Sequence, residues 1–168
     1  MSRVVITGLG VISCLGNNQN EVLKSLKNGD SGLSINQDYV DNGMRCHVSG
    51  QVSPNLEKID RKMLRFMSET SAYAFLSAEE AINDAGLSSD QIASNDVGVI
   101  VGSGTGSSRE IQRIMDTIRE KGMKRIGPYS VTRTMGNTTS AAISTFFKTK
   151  GISFSIASAC STSLHCIS

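Results

Sequence analysis

Val97-Gly98-Val99-Ile100-Val101 narrows the folds open to this chain more than any other stretch, because the run is apolar throughout instead of alternating with polar residues. That is the pattern of a parallel strand covered on both faces. Such a strand needs helices on either side, and the chain offers them. Ile111, Ile114, Met115 and Ile118 recur at i, i+3, i+4 and i+7 between charged residues, which predicts an amphipathic helix stopped at Gly122. Pro128 opens a second helical region through Lys148, with a break at Gly136 and Ala141, Ala142, Ile143, Phe146 and Phe147 on its buried side. Asp60 caps the most hydrophobic helix, expected to run to about residue 85 with Gly86 as its stop. Met63, Met67, Ala74, Ala78, Ala81 and Ala85 share one side of it. Leu64, Phe66, Tyr73, Phe75 and Leu76 spread apolar surface further round, so burial on several sides is predicted. The fold class is α/β.

The start of the chain fits that class. Residues 3–7 are apolar and rich in β-branched side chains, closed by Gly8-Leu9-Gly10, and predict a buried first strand. The run superficially resembles a leader. Gly8 and Gly10 break its apolar core, and no long apolar stretch occurs elsewhere, so strand and turn are the reading and no membrane span is predicted. A dinucleotide fingerprint fails here because Ser13 stands at the third glycine position and no acidic partner follows at the required distance. Asn17 or Asn18 caps a helix through about Lys27, with Glu21 in its first turn and Asn28-Gly29 ending it. Residues 29–56 are polar and glycine-dotted, predicting an irregular excursion with at most a short strand near Val48; Arg45 and His47 within it have no evident partners. Ser88-Ser89-Asp90 begins a short connection.

The last stretch holds the candidate chemistry. Ile152, Phe154 and Ile156 alternate with Ser153, Ser155 and Ala157, a strand pattern, and Ser158 or Ala159 starts a following helix with Cys160 in its first turn. The positive end of a helix favours anions, and unpaired backbone N–H groups there can hold a developing oxyanion, so this is where a thiol nucleophile is displayed. Small neighbours leave room for a substrate. The alternative is an inert, packed thiol, since free cysteine is among the most buried residue types. His165 lies about 140° round a helix from Cys160 and is therefore read as solvated or packed, not as a base. Cysteines at 14, 46, 160 and 166 form no Cys-x-x-Cys pair and no zinc spacing with histidine, which fits a reducing cytosol. A net charge of +2 without a basic tail gives no reason to expect nucleic acid or an anionic membrane as partner. The loop Gly102-Ser103-Gly104-Thr105-Gly106-Ser107-Ser108 lacks the lysine and closing spacing of a phosphate-binding loop. Arg61, Lys62 and Arg65 crowd three cations into the first turn of a helix, the end at which the dipole disfavours them.

The run Ser155-Ile156-Ala157-Ser158-Ala159-Cys160-Ser161-Thr162-Ser163 resembles the active-site segment of the β-ketoacyl-acyl-carrier-protein synthases. So do Val4-Val5-Ile6-Thr7-Gly8-Leu9-Gly10-Val11-Ile12-Ser13, Asp60-Arg61-Lys62-Met63-Leu64-Arg65-Phe66-Met67-Ser68, Asp84-Ala85-Gly86-Leu87 and Gly127-Pro128-Tyr129. The Arg61 block and the region of Gly122-Met123-Lys124 resemble the class I branch. The resemblance implies a thiolase-like, layered α-β-α fold with a mixed sheet. Because the family's chains are more than twice this long, it implies that residues 1–168 are an N-terminal half-domain reaching just into the nucleophile helix. It implies Cys160 as the acyl acceptor in a decarboxylative condensation, with the family's catalytic histidines and lysine beyond residue 168 and neither His47 nor His165 in their place.

By the same resemblance, Arg61, Lys62, Arg65, Lys121 and Lys124 dock an acidic acyl carrier protein. Thr105 stands near the gate of the acyl pocket, and Met135 reaches across a homodimer interface into the partner's pocket. The chain needs no cofactor of its own, since the phosphopantetheine arm arrives on the carrier protein, and the expected location is the cytoplasm. Two other readings compete: a non-catalytic carrier-binding or dimerisation fragment, and a nucleotide-binding α/β protein using the loop at Gly102.

Overall fold

The computed structural model describes residues 3–168, which divide into two compact units: residues 3–56 with Leu76–Gly86, and Glu57–Phe75 with Leu87–Ser168. In the first unit, α1 (Gln19–Asn28) forms as its caps predict. The Asn18 side chain accepts the Glu21 N–H at 3.0 Å, the Glu21 carboxylate accepts the Asn17 N–H at 2.8 Å, and Gly29 ends the helix at φ 71°. The excursion that follows is more ordered than its composition suggests. β1 (Leu33–Ile35) pairs antiparallel with β2 (Val48–Gly50), Leu33 opposite Gly50 and Ile35 opposite Val48, with α2 (Gln37–Asp41) between them. The ladder extends through the Asn36 N–H, which donates to the His47 carbonyl at 2.8 Å, while the Asn36 side chain donates to Ser49 Oγ.

Residues 3–7 do not form the predicted buried strand. Val4 is 91% and Ile6 77% exposed, because no strand lies beside them to complete a ladder among the described residues. The segment just after is held by carboxylates instead. Asp84 accepts the Leu9 N–H and Glu80 the Val11 N–H, each at 2.9 Å, from the last turns of α4 (Glu69–Asp84). Gly8 and Gly10 permit this approach: a Cβ on either would collide with the carbonyl oxygens of Ala81 and Ser77.

In the second unit β3 (Val99–Gly102) runs parallel to β4 (Ser153–Ile156), Val99 opposite Ser153 and Gly102 opposite Ile156. The expected strand is parallel and shifted to Val99–Gly102, and α8 (Thr138–Phe147) and α9 (Thr162–Ile167) pack on the pair, but the predicted cover on both faces is absent: Ile100 is 43% and Phe154 42% exposed. The core gathers Ile59, Met67, Ala72, Phe75, Ile92, Val99, Ala142 and Ile143. Phe75 meets Phe146 edge-on at 4.5 Å and stacks on Phe147 at 5.3 Å between ring centres.

The long helix expected from Asp60 is two helices. Asp60 does cap, accepting the Lys62 N–H at 2.7 Å, but α3 (Arg61–Leu64) is short, and residues 65–68 turn the chain before α4 begins. Ser68 is the reason for the restart. Its hydroxyl accepts the Ser71 N–H at 3.2 Å, an N-cap in the middle of an apolar pattern, while Met67 fills the bend at 1% exposure. α5 (Ser89–Ile92) starts with a capping box between Ser88 and Gln91. α6 (Ser108–Lys121) ends at Gly122, φ 80°, as its sequence predicts. Its buried residue is Glu110, however, while Ile111 and Met115 of the apolar stripe stay exposed. α7 (Ser130–Thr134) and α8 divide the region after Pro128 around Gly136.

Candidate active site

β4 leads into a single 3₁₀ turn, Ala159–Ser161, before α9. Cys160 therefore lies in a tight turn ahead of the α-helix and not within its first turn. The reason is local. Ala159 adopts the left-handed conformation, φ 49°, which an α-helix cannot continue through. The Thr162 hydroxyl accepts the Ser158 N–H at 2.9 Å and donates to the Ala159 carbonyl at 2.8 Å, and the Ser161 N–H donates to the Ser158 carbonyl at 3.1 Å. Cys160 is exposed and forms no disulfide, and no backbone hydrogen bond takes up its N–H among the described residues.

The glycine-rich loop meets this turn. A Cβ at Gly102 would strike the Ile156 carbonyl oxygen and Thr162 Cγ2, and one at Gly104 would lie 3.0 Å from the Ala159 carbonyl oxygen. The loop itself is folded by the Gly106 N–H donating to Ser103 Oγ at 3.1 Å. Gly102 and Gly104 thus serve close contact with the segment around the cysteine, while Gly106, at φ 64°, serves the fold of the loop itself. Thr105 stands exposed on the same loop, and Met135 is 46% exposed at the end of α7. An apolar cavity of about 280 Å³ opens between α3, α7 and α8, lined by Met63, Phe66, Thr132, Thr138, Ala142 and Thr145 among others; neither Thr105 nor Met135 lines it.

His165 is exposed, and its Nδ1 lies 2.7 Å from Ser158 Oγ. The sequence reading of a solvated or packed side chain agrees with this exposure, although the helical angle behind it does not apply, because Cys160 lies ahead of α9. Arg61, Lys62, Arg65, Lys121 and Lys124 are all exposed, and none forms an ion pair among the described residues. Their two segments approach through Phe66, beside Arg65, and Tyr129, whose rings meet at 4.4 Å. Sequence reasoning missed the hydroxyls of Ser158 and Thr162, whose only signal was their spacing of four across the cysteine. It also missed Glu110, 7% exposed at its side chain and bonded at 2.6 Å to Arg133, whose partner lies 23 residues away. No group of three or more His, Cys, Asp or Glu side chains is arranged to hold a metal among the described residues.

The sequence model for the beta-ketoacyl synthase N-terminal domain matches residues 1–168. The chain belongs to the beta-ketoacyl synthase family. Among its relatives, 3-oxoacyl-[acyl-carrier-protein] synthase 1 of Escherichia coli strain K12 is 52% identical over 170 residues, and the enzyme of the same name from Haemophilus influenzae is 48% identical over 169. Each alignment covers 99% of this chain and 42% of the relative, so the chain spans less than half the length of the synthases it matches. A crystal structure of a beta-ketoacyl synthase from Burkholderia phymatum superposes with a TM-score of 0.79 at 29% identity, covering 99% of this chain and 42% of that one. A type II polyketide acyl carrier protein in complex with its ketosynthase includes a chain that superposes at a TM-score of 0.75 and 22% identity, a likeness of fold. The fold is the thiolase-like α/β fold of the ketosynthases, represented by its N-terminal portion. No helix among the described residues is long and apolar enough to cross a membrane.

Proposed function

We propose that this chain is the N-terminal half-domain, residues 1–168, of a 3-oxoacyl-acyl-carrier-protein synthase of fatty-acid synthesis, and that Cys160 is its acyl acceptor. The observation that carries the reading is an exposed thiol outside any disulfide, with an N–H that no backbone acceptor takes up, on a tight strand-to-helix turn in a chain of this family. Cys160 Sγ adds to the thioester carbonyl of an acyl-acyl carrier protein. The phosphopantetheine sulfur leaves as a thiol, taking the proton that Cys160 gives up, and the acyl group remains as a Cys160 thioester. The Cys160 N–H is one donor to the oxyanion of that addition. Malonyl-acyl carrier protein then loses carbon dioxide, and its carbanion attacks the Cys160 thioester to give the elongated β-ketoacyl product and release Cys160 as the thiolate, which takes a proton from solvent to regenerate the thiol. Neither His47 nor His165 takes part in the second half-reaction, so the 168-residue chain accepts acyl groups without turning over.

The carrier protein docks on Arg61, Lys62, Arg65, Lys121 and Lys124. Support comes from their exposure and lack of internal ion pairs, and from the carrier-protein complex known for a protein of the same fold. Unpaired surface cations steer an acidic partner without first having to break internal contacts. Thr105 and Met135 belong to the acyl pocket, Met135 acting across a homodimer; the protein works in the cytoplasm with no cofactor besides the carrier's arm.

Intact mass after incubation with acyl-acyl carrier protein tests the assignment. One acyl adduct on the chain, absent from Cys160→Ser, is expected. No adduct on the unsubstituted chain, or one that survives in Cys160→Ser, overturns it. Lys62→Glu with Arg65→Glu should weaken carrier-protein binding about tenfold or more at low salt and flatten its salt dependence. Binding unchanged by this double charge reversal removes α3 from the dock.

A further inference from the structure

The Thr162 side chain uses its hydroxyl twice, accepting from the Ser158 N–H and donating to the Ala159 carbonyl. With one proton and two lone pairs, a hydroxyl so engaged is fixed in both position and rotation. Thr162 is 3% exposed, and Gly102 leaves space for its Cγ2. The two backbone groups it joins bracket Ala159, one of two non-glycine residues with positive φ among the described residues. An L-residue holds that conformation only where its surroundings over-determine it. Thr162 supplies that constraint from the α9 side, and the close backbone of Gly104 supplies it from the loop side.

We propose that Thr162 is the positioning residue of the nucleophile: by clamping Ser158 to Ala159 it holds the turn in which the Cys160 thiol and the Cys160 N–H face one carbonyl group. The proposal rests on the reading of Cys160 as acyl acceptor. Acyl transfer needs thiol and N–H aligned together, whereas alkylation needs only an exposed thiol. A positioning role therefore separates the two rates, which a purely structural role does not.

The test compares the full chain with Thr162→Val, which removes both hydrogen bonds, and Thr162→Ser, which keeps them. Acylation of Cys160 by acyl-acyl carrier protein is expected to slow about tenfold or more in Thr162→Val and to recover in Thr162→Ser. Iodoacetamide should meanwhile alkylate Cys160, measured against the exposed Cys14 and Cys46 in the same chain, at close to the unsubstituted ratio. Acylation unchanged in Thr162→Val, reduced only in proportion to alkylation, or not recovered in Thr162→Ser overturns the proposal. Amide exchange at Ser158 covers the remaining cases. If Thr162→Val does not fold, exchange of the Ser158 N–H at its unprotected rate in the unsubstituted chain overturns the clamp, and slow exchange sustains it. If the unsubstituted chain takes no acyl group, the reading of Cys160 fails separately; Ser158 protection lost in Thr162→Val then supports the clamp, and equal protection in both overturns it.

Discussion

At Gly102 and Gly136 the same substitution should have opposite signs. A Cβ at Gly102 meets the Ile156 carbonyl oxygen and Thr162 Cγ2, while one at Gly136 meets nothing within 4 Å, and Gly136 is not in the left-handed region. Gly102→Ala must push β4 or α9 aside and is expected to cost roughly 1–3 kcal/mol of stability. It should also slow acylation, since the displaced atoms hold the cysteine turn. Gly136→Ala narrows only the unfolded ensemble and should stabilise by about 0.4–1 kcal/mol. Denaturant unfolding of the two variants, with equal slopes, checks both. Tyr73 gives the residue-scale pH dependence. Burial first, then the neighbouring Glu69 carboxylate, raises its phenol above the ordinary 10.0, with Arg109 opposing. The folded state thus favours the neutral phenol. Its stabilising effect is complete below pH 10 and is lost as pH rises from there through the higher folded value. Thermal midpoints of Tyr73→Phe should fall less steeply above pH 10 than those of the unsubstituted chain; parallel curves would exclude a titrating Tyr73.

At the scale of elements, the hydroxyl line Ser68–Ser71–Thr139 does what the apolar pattern of residues 60–85 does not reveal. Ser68 Oγ lies 3.2 Å from Ser71 Oγ, which lies 3.0 Å from Thr139 Oγ1, and all three residues are buried. Ser68→Ala removes the cap of α4 as well as one member of the line, so it should destabilise by about 1–2 kcal/mol. A loss under a few tenths in urea unfolding would show that the cap contributes nothing. This helix break was illegible because the hydrophobic period runs straight through it; only the tertiary partner Thr139 makes a buried serine favourable there. Elements fixed by short-range chemistry were legible: the Asn18 cap and Gly29 stop of α1, the glycine stop of α6, and the continuous apolar run of β3. The run at residues 3–7 misled for the opposite reason, because β-branched composition predicts a strand only where a second strand is there to pair with it. Cys160 stood out by its small neighbours. Its left-handed turn did not, since nothing in alanine announces a positive φ.

At the scale of the whole molecule, each unit carries apolar surface that its own fold does not cover. Val4, Ile6, Leu33 and Ile35 in one unit and Val131, Ile152, Leu164 and Ile167 in the other are each at least 61% exposed. Isolated exposed apolar residues are ordinary, but contiguous ones drive association. β4 adds a second cause. It pairs only with β3 among the described residues, so its far edge presents unpaired backbone groups, and Ile152, the residue just before it, is 73% exposed. A flat apolar edge is a template for a second copy, and a lysine on it is the usual way such pairing is blocked. Ile152→Lys should leave the fold intact. The Ile152 contact with β3 is made by its carbonyl, which accepts the Val99 N–H at 2.8 Å, and its side chain already points to solvent. Sedimentation velocity over a concentration series should therefore show the unsubstituted chain growing in mass with concentration, and Ile152→Lys shifting that growth to higher concentration at an unchanged thermal midpoint. If the mass still grows unshifted in Ile152→Lys, association runs through the other exposed apolar residues, Val4, Ile6, Leu33 and Ile35 or Val131, Leu164 and Ile167, and not through the edge; a chain that stays monomeric throughout would show that neither the edge nor these residues are sticky enough to pair.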